Sequence, residues 1–289
     1  MHHSDNREVL EDLRKEGSTA EEQELEREEA IDDSADADPR EVKSQQNVAF
    51  HRRGSISKET RIENKLPFRY SPLFRPLNVT DLDSCVALEN AAFTNESHRA
   101  TPGKLKYRLS KCPELSMGIF CTVPRVHSGA NFELETLATA RPVETGREDY
   151  DASALIAHVV STRSTHDVVT DSDMDYPRDW ETNHQSSELG HHEEGRTICL
   201  HSLAVVPTLQ WTGLGSQIMR AYLQEMNKEK GETHSVDRVV LLCQYPLISY
   251  YQRFGFEHVG KSEATFAGGE WHDMVGLNPR LMDNNVRSR

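Results

Sequence analysis

The sequence lacks the features that place a protein in a membrane or in an oxidising compartment. It contains no apolar run of the roughly 18 residues that a spanning helix needs, and its first residues have no apolar core of the kind that a secretory signal carries. The five cysteines include no C-x-x-C pair and stand among apolar neighbours, which favours buried, reduced thiols over a disulfide framework. We therefore expect a cytoplasmic protein that binds no membrane.

Positive charge is also scarce. The 289 residues carry 33 basic and 47 acidic side chains, a net charge of −14. Nucleic-acid binding needs clustered Lys and Arg to displace counterions, so this balance argues against DNA and RNA and suits a cationic substrate. Residues 1–40 alone hold 15 acidic and 5 basic side chains. We expect an acidic, largely disordered tail over residues 1–66, followed by one domain over residues 67–289.

The hydrophobic pattern after residue 66 alternates between strands and helices. It predicts strands over 73–79, 115–123, 154–162, 197–206, 236–243, 256–259 and 271–275, and helices over 80–93, 101–111, 216–228 and 246–254. Thr80 to Asp83 is similar to a capping box at the start of the first helix. Two polar stretches, 124–150 and 164–196, are predicted to be loop insertions. This order of elements indicates an α/β protein with a mixed sheet.

A short glycine turn, Gly213-Leu-Gly215-Ser216, lies between the most apolar predicted strand and an amphipathic helix. Glycines at a helix N-terminus let successive backbone N–H groups point toward one anion. The turn lacks the Lys-Ser/Thr pair of a P-loop, and Ile218 stands where a dinucleotide-binding fingerprint has its third glycine. It therefore predicts a pyrophosphate site without nucleotide-triphosphate chemistry or hydride transfer. Taken alone, so short a turn is more typical of a purely structural role than of an anion site.

Two titratable residues flank this turn: His201 in the apolar strand and Tyr251 in the downstream helix. A strand histidine is by itself typical of a hydrogen-bonded core residue, and a buried tyrosine of simple packing. Three motifs in order change this interpretation. CPELSMGIF from Cys112, CLHSLAV from Cys199 with Q-x-x-G-x-G after it, and YYQRFGF from Tyr250 resemble the GNAT superfamily of N-acetyltransferases. Within it they are similar to the arylalkylamine (serotonin) N-acetyltransferases and to fungal polyamine acetyltransferases.

The resemblance, which covers about Phe68 to Val275, implies a fold and a cosubstrate. The GNAT fold has a mixed central sheet with a splay between strands 4 and 5 and helices on both faces. Acetyl-CoA lies in that splay, with its pantetheine along the fourth strand and its pyrophosphate on the glycine turn. The implied pantetheine residues are Leu203, Ala204 and Val205, and the implied pyrophosphate residues are Trp211, Thr212, Gly213, Leu214, Gly215 and Ser216.

The resemblance also implies the reaction, which is direct attack of a free amine on the thioester. An alkylamine with a pKa of about 10.4 arrives protonated and must lose a proton first. His201 is the residue that would accept this proton, directly or through water. Tyr251 matches the family tyrosine that gives a proton to the departing CoA thiolate. A backbone N–H group on the splayed strand would stabilise the oxyanion.

Two positions depart from the family pattern. The animal enzymes carry a second histidine where this chain has Cys199, which we interpret as a packing residue, so that His201 would act without a histidine partner. Trp211-Thr212 replaces small or basic residues and predicts weaker CoA binding. These departures leave open a catalytically degenerate acyl-CoA-binding module. The fold also leaves open acetylation of protein lysines or N-termini, although the CPELS segment resembles the branch that acts on small amines.

The amine itself stays open between two classes. Phe93, Pro113 and Leu115 would form an apolar pocket for an aromatic ring, whereas the acidic balance of the chain would attract a polyamine. No metal site is predicted, because Asp171-Ser-Asp-Met-Asp175 starts like an EF-hand but has Tyr176 in place of the turn glycine.

A regulatory site is predicted in the tail. Arg52-Arg-Gly-Ser55 is a basic motif of the kind that basophilic kinases use. In the animal relatives a comparable phosphorylated site recruits 14-3-3 proteins, so the resemblance implies a 14-3-3-type partner for phosphorylated Ser55.

Overall fold

The computed structural model describes residues 58–124, 132–143, 151–183, 185–227 and 236–277. Its strands are β1 (Pro72–Pro76), β2 (Met117–Val123), β3 (Arg141–Pro142), β4 (Ala152–Ser164), β5 (Thr197–Val205), β6 (Arg238–Cys243), β7 (Glu257–Lys261) and β8 (His272–Leu277). Its helices are α1 (Lys58–Glu63), α2 (Leu82–Ala92), α3 (Pro102–Lys111), α4 (Asp171–Met174), α5 (Leu214–Met226) and α6 (Ile248–Gln252). None of these helices is long and apolar enough to cross a membrane.

All eight strands belong to one sheet, in the order β1-β2-β4-β5-β6-β8-β7, with β3 paired to β4. Every pairing is antiparallel except that of β5 with β6, within the ranges described. The sheet is therefore mixed, as the alternation of elements predicted. β4 and β5 lie at its centre and are buried along almost their whole length, which explains why their sequences are so continuously apolar.

Helices cover both faces of this sheet. On β4, the side chain of His158 contacts Glu89 on α2, and the hydroxyl of Ser161 accepts a hydrogen bond from Tyr222 on α5 at 2.7 Å. Side chains three positions apart on a strand point to opposite faces, so α2 and α5 lie on opposite sides of the sheet. This arrangement confirms the predicted α/β fold with helices on both faces.

Packed structure begins earlier than the predicted domain boundary at residue 66. Helix α1 precedes that boundary, and Ile62 and Leu66 are both buried in the hydrophobic core. The boundary was placed too late because two apolar residues four positions apart, enough for one buried helical face, are inconspicuous beside the charged tail. Residues 1–57, and with them Ser55, lie outside the described residues.

The second predicted insertion, 164–196, is more than a loop. It contains α4, whose N-terminus has a capping box: the Thr170 hydroxyl accepts from the Asp173 N–H, and the Asp173 carboxylate accepts from the Thr170 N–H. Val169 and Met174 are buried beside Cys199 of β5. The insertion was predicted as a loop because so short a helix has no measurable period, and it turns out to cover one face of the sheet.

The first helix is capped differently from the prediction. The capping box joins Asn78 and Asp81, with the Asn78 side chain accepting from Thr80, rather than Thr80 and Asp83. A 3-10 turn over Val79–Asp81 moves the start of α2 to Leu82. Asp81 is buried and accepts two hydrogen bonds from Arg75, so it also joins this turn to β1.

Candidate active site

The central sheet opens between β5 and β6. The two strands pair over four residues, from Thr197 opposite Arg238 to Leu200 opposite Leu241. Beyond Leu200, β5 stays paired with β4 as far as Val205, but β6 no longer follows it. This is the predicted splay; strands 4 and 5 of the prediction are β5 and β6 here, because the short β3 adds one to the count. The residues predicted to line pantetheine, Leu203, Ala204 and Val205, lie on the open stretch of β5.

The glycine turn lies directly after this open stretch. The Gln210 side chain donates to the Val205 carbonyl at 3.2 Å, which holds the turn against the end of β5. Gly213 adopts a left-handed conformation, φ 96°, at the N-cap of α5, and no side chain caps this helix. Its first-turn N–H groups therefore have no intrahelical acceptor and suit an anion. Leu214, Gly215 and Ser216 form this first turn.

The two unusual residues of the turn have different roles. Trp211 has a left-handed backbone, φ 65°, and an exposed side chain. Thr212 is buried, and its hydroxyl donates to the Leu209 carbonyl at 2.7 Å. A non-glycine residue at positive φ is strained, so the backbone at Trp211 suits a glycine better than a tryptophan.

A cavity of about 80 Å³ lies at the mouth of the splay. This is several times the roughly 10–15 Å³ that one water needs. His201 and Tyr251, the two predicted catalytic residues, both line it. Four of the twelve other lining residues have aromatic rings: Phe93, His98, Phe266 and Trp271. The structure thus brings the two predicted residues to one small pocket, although they stand fifty positions apart in the sequence.

His201 owes its orientation to an irregularity in β5. The register places Val160 opposite Ser202 and Ser161 opposite Leu200, so His201 is the extra residue of a β-bulge. Its Nε2 atom lies 2.7 Å from Oγ1 of Thr162.

The electrostatic environment of His201 is positive. Burial, with the positive charges of Arg108 and Lys104, holds the pKa of His201 well below its usual range. The imidazole is therefore neutral at neutral pH and able to accept a proton.

Tyr251 is held by other aromatic rings. It lies on the short helix α6 and is 2% exposed. Its ring packs edge-on against Tyr250 and Phe256, with centroids 5.1 Å and 5.9 Å away. This packing fixes the ring beside the cavity and limits its movement.

Cys199 lies on the same face of β5 as His201 but is completely buried. Burial and the negative charge of Asp173 raise the pKa of its thiol well above its usual range. A thiol in this state neither accepts a proton nor acts as a nucleophile at neutral pH, which supports the interpretation of Cys199 as a packing residue.

The comparison with known protein families agrees with this geometry. Residues 180–277, which include β5, the glycine turn, β6 and α6, match the acetyltransferase (GNAT) domain model. The chain is similar to GNAT acetyltransferases over this stretch. It is 28% identical over 194 residues to the serotonin N-acetyltransferase of Mesocricetus auratus, covering 66% of this chain and 70% of the relative. It is 30% identical over 104 residues to the serotonin N-acetyltransferase of Macaca mulatta, covering 35% of this chain and 49% of the relative.

Solved structures with a similar arrangement are more distant in sequence. One is the loading GNATL domain of CurA from Lyngbya majuscula, 16% identical with a TM-score of 0.46, covering 73% of this chain and 99% of that one. Another is Arabidopsis thaliana NAA60 in complex with acetyl-CoA, 16% identical with a TM-score of 0.42, covering 72% of this chain and 99% of that one.

The three residues predicted to form the substrate pocket of the GNAT domain do not lie together. Phe93 is partly buried and lines the cavity. Leu115 is completely buried in the core, and neither it nor Pro113 lines the cavity. These two residues belong to a 3-10 turn, Pro113–Leu115, that leads into β2. The turn and the burial of Leu115 give this part of the CPELS motif a structural role.

Several cavity residues were not predicted from the sequence. Met174 comes from the polar insertion, and its sulfur lies 3.3 Å from Nδ1 of His201. His98, Phe266 and Trp271 come from turns between elements, where no periodic pattern singles them out. Ser202 was overlooked because a strand residue next to His201 should face the other way, and only the bulge turns it. The described residues contain no group of three or more metal-ligating side chains.

Proposed function

We propose that the protein is an acetyl-CoA-dependent N-acetyltransferase that acetylates the primary amine of small arylalkylamines, with polyamines as the second class. One observation carries the proposal: a cavity lined by His201 and Tyr251 opens at the splay between β5 and β6, next to an uncapped helix N-terminus. The similarity to serotonin N-acetyltransferases supports the choice of a small amine.

The residues present fit acetyl-CoA. Past Leu200, one edge of β5 has no partner strand among the described residues, so its backbone groups can pair with the amides of pantetheine. The N–H groups that begin α5 suit the pyrophosphate. Bound acetyl-CoA supplies the acetyl thioester. Its pyrophosphate would be bound by backbone N–H groups, so the basic side chains that Trp211 and Thr212 replace are not required.

The side chains in the cavity divide the proton transfers between them. The neutral imidazole of His201 accepts a proton from the substrate ammonium, directly or through a water molecule. The Tyr251 hydroxyl gives a proton to the sulfur that leaves, because a thiol with a pKa of about 8.5 is a better leaving group when protonated. No covalent bond to the enzyme forms, and Cys199 takes no part.

The wall of the cavity favours an aromatic substrate over a polyamine. The rings of His98 and Trp271 lie 5.1 Å apart, and Phe266 and Trp271 lie 6.1 Å apart. Lys104 lies over the Phe266 ring at 4.7 Å. Aromatic rings attract another ring, whereas the nearby Lys104 and Arg108 repel a second ammonium group.

The purified protein would be incubated with acetyl-CoA and a panel of amines while thiol release is followed. The panel contains tryptamine, serotonin, phenethylamine, putrescine, spermidine and a lysine peptide. We expect release with the arylalkylamines first. Turnover of the lysine peptide alone would favour a protein acetyltransferase. Binding of CoA without turnover of any amine would favour a degenerate acyl-CoA-binding module, and absence of CoA binding would contradict the proposal altogether.

We also propose that phosphorylated Ser55 binds a 14-3-3-type protein, and that the enzyme works in the cytoplasm. Ser55 lies outside the described residues, so the first part rests on the Arg52-Arg-Gly-Ser55 motif. The five buried cysteines, all of which are thiols rather than disulfides, support the second part, because such thiols are typical of a reducing compartment. Calorimetric titration of 14-3-3 with the chain phosphorylated at Ser55 and with the unmodified chain tests the partner; equal affinities would contradict it.

A further inference from the structure

A buried polar network lies directly behind the cavity. It joins Glu89 on α2, His158 on β4 and Ser202 on β5, each at most 4% exposed. Nε2 of His158 lies 2.9 Å from Oε1 of Glu89 and 3.2 Å from Oγ of Ser202. The Ser202 hydroxyl donates to the same Oε1 atom. The other carboxylate oxygen, Oε2, accepts from the Ala100 N–H at 2.9 Å.

The bulge in β5 turns this network toward the cavity. His158 and Thr162 point to the same face of β4, because they are four positions apart. His201 contacts Thr162, and Ser202 contacts His158, so the side chains of these two consecutive residues lie on one face of the sheet. Ser202 accordingly lines the same cavity as His201 and Tyr251. A regular strand would have turned it away.

His201 is poorly placed to be the only proton acceptor. Nε2 of its ring contacts the Thr162 hydroxyl, and Nδ1 contacts the Met174 sulfur, so both nitrogens already have partners. The positive charges of Lys104 and Arg108 also lower the pKa of the imidazole, which weakens it as a base. A carboxylate connected to the cavity through one hydroxyl group would act as a second proton acceptor beside His201.

We propose that Ser202 and Glu89 form a proton exit for the substrate ammonium, with Ser202 facing the amine and Glu89 accepting the proton through it. One N–H bond of the ammonium breaks and an O–H bond forms on Ser202, while the original Ser202 hydroxyl proton moves to Oε1 of Glu89. The products are a neutral amine, an unchanged serine and a neutral carboxylic acid. The proton later returns to water by the same route. This inference rests on the proposed function.

The groups that face Glu89 come from three elements. They are Arg108 on α3, His158 on β4 and the Cys85 thiol on its own helix. Burial lowers the pKa of Arg108 to about 10, against the opposing effect of the negative charge of Glu89, so Arg108 remains positive at neutral pH.

The test compares the wild-type chain with Glu89→Gln and Ser202→Ala. Gln keeps one acceptor oxygen, for the Ala100 N–H, and places an NH2 donor beside Ser202, but it accepts no proton; Ala removes the connecting hydroxyl. Ser202→Thr keeps a hydroxyl. Ser84→Ala is the matched control, because Ser84 is also a buried serine, donates to the Thr139 carbonyl at 3.0 Å and does not line the cavity. Thermal unfolding and CoA affinity check that each variant is folded.

Two substrates separate proton removal from structural damage. Phenethylamine is protonated at pH 7, whereas its β,β-difluoro analogue is a much weaker base, so a far larger fraction of it arrives neutral. We expect Glu89→Gln and Ser202→Ala to lower kcat for phenethylamine about 100-fold at pH 7. The loss should shrink to a few-fold with the fluorinated amine, and for phenethylamine it should shrink as the pH approaches about 10. Ser202→Thr should recover most of the activity, and Ser84→Ala should keep all of it.

Two results would overturn the inference. In the first, the variants turn over phenethylamine as fast as the wild type does. In the second, kcat of the variants falls by the same factor with both amines at every pH, which would mean that the network only holds α2 against the sheet. The rates of the wild-type chain test the proposed function independently of the variants. A wild type without turnover of any amine refutes that function and this inference with it, whereas an active wild type with unaffected variants refutes the inference alone.

Discussion

The Nε2 atom of His201 lies 2.7 Å from Oγ1 of Thr162, across the central pair of strands. The contact exists because a bulge places His201 on the same face as Thr162, even though Thr162 pairs in register with Cys199. A ring held at one nitrogen by its neighbour strand cannot rotate freely. The position of the imidazole is therefore set by β4 as much as by β5.

Removing this contact should slow the reaction. Thr162→Val keeps the shape of the side chain but leaves a buried ring nitrogen without its partner, at a cost of about 1–3 kcal/mol. We expect kcat to fall about tenfold or more, while Thr162→Ser, which keeps the hydroxyl, stays near the wild type. Steady-state kinetics at saturating acetyl-CoA measure the difference. A loss in Thr162→Ser without a loss in Thr162→Val would show that the methyl group matters, not the hydroxyl.

Tyr251→Phe should impair chemistry and spare cosubstrate binding. The change removes only the hydroxyl that we propose as the proton donor to the leaving thiolate, so we expect kcat to fall about 100-fold with nearly constant CoA affinity. Tyr250→Phe is the control, because Tyr250 is its buried neighbour and does not line the cavity. Turnover and calorimetric CoA binding are measured on both. Unchanged kcat in Tyr251→Phe would remove this residue from the acid role.

Trp211→Gly should stabilise the glycine turn. Trp211 adopts φ 65°, which glycine tolerates and other residues do not. We expect the free energy of unfolding of Trp211→Gly to exceed that of Trp211→Ala by about 1 kcal/mol, because alanine loses the large ring but keeps the strain. Urea denaturation compares the two variants. If alanine is as stable as glycine, the backbone at this position is not strained.

Acid should destabilise the protein in part through His191. Burial, with the charges of Arg163, His192 and Lys111, lowers the pKa of His191 to about 4, and its Nδ1 accepts from the Arg163 N–H at 3.1 Å. The unfolded chain binds this proton at about pH 6.5. The stability that the neutral ring contributes is thus complete above about pH 6.5 and is lost as the pH falls toward about 4.

His191→Asn tests this pH dependence. Asn keeps an acceptor for the Arg163 N–H and does not titrate, so the free energy of unfolding should depend less steeply on pH between about 6.5 and about 4. His258→Asn, on the exposed strand β7, should keep the wild-type slope. Urea unfolding at several pH values gives both slopes. An unchanged slope in His191→Asn would contradict the assignment.

Phe93→Ala and Leu115→Ala should have opposite effects. Phe93 lines the cavity, so its loss should raise KM for arylalkylamines more than for polyamines, with a modest effect on stability. Leu115 is completely buried, so its loss should cost about 2–5 kcal/mol of stability and leave KM nearly unchanged. Kinetics and thermal unfolding are compared side by side. A selective rise of KM in Leu115→Ala would restore it as a pocket residue.

Much of the fold could be predicted from periodicity and turn residues. The apolar run at Thr197–Val205 predicted a central strand, and the glycines at 213 and 215 predicted the turn before α5. Both signals are local, because burial on two faces and left-handed backbone each restrict which residues a position accepts. Helix α4 and the caps at Asn78 were missed, since elements of one turn leave no period to detect.

The sequence by itself determined that the chain forms a mixed sheet with a glycine turn before α5, and its motifs selected His201 and Tyr251. Only the tertiary structure decided which other groups share their cavity. Met174 lies in an insertion and contacts His201, and Leu115 is buried in the core instead of lining the cavity. A one-residue bulge turns Ser202 to the face where it contacts Glu89 and His158. The physical reason is that composition and spacing constrain the neighbours along the chain, whereas strand register and a single extra residue decide which side chains meet across it.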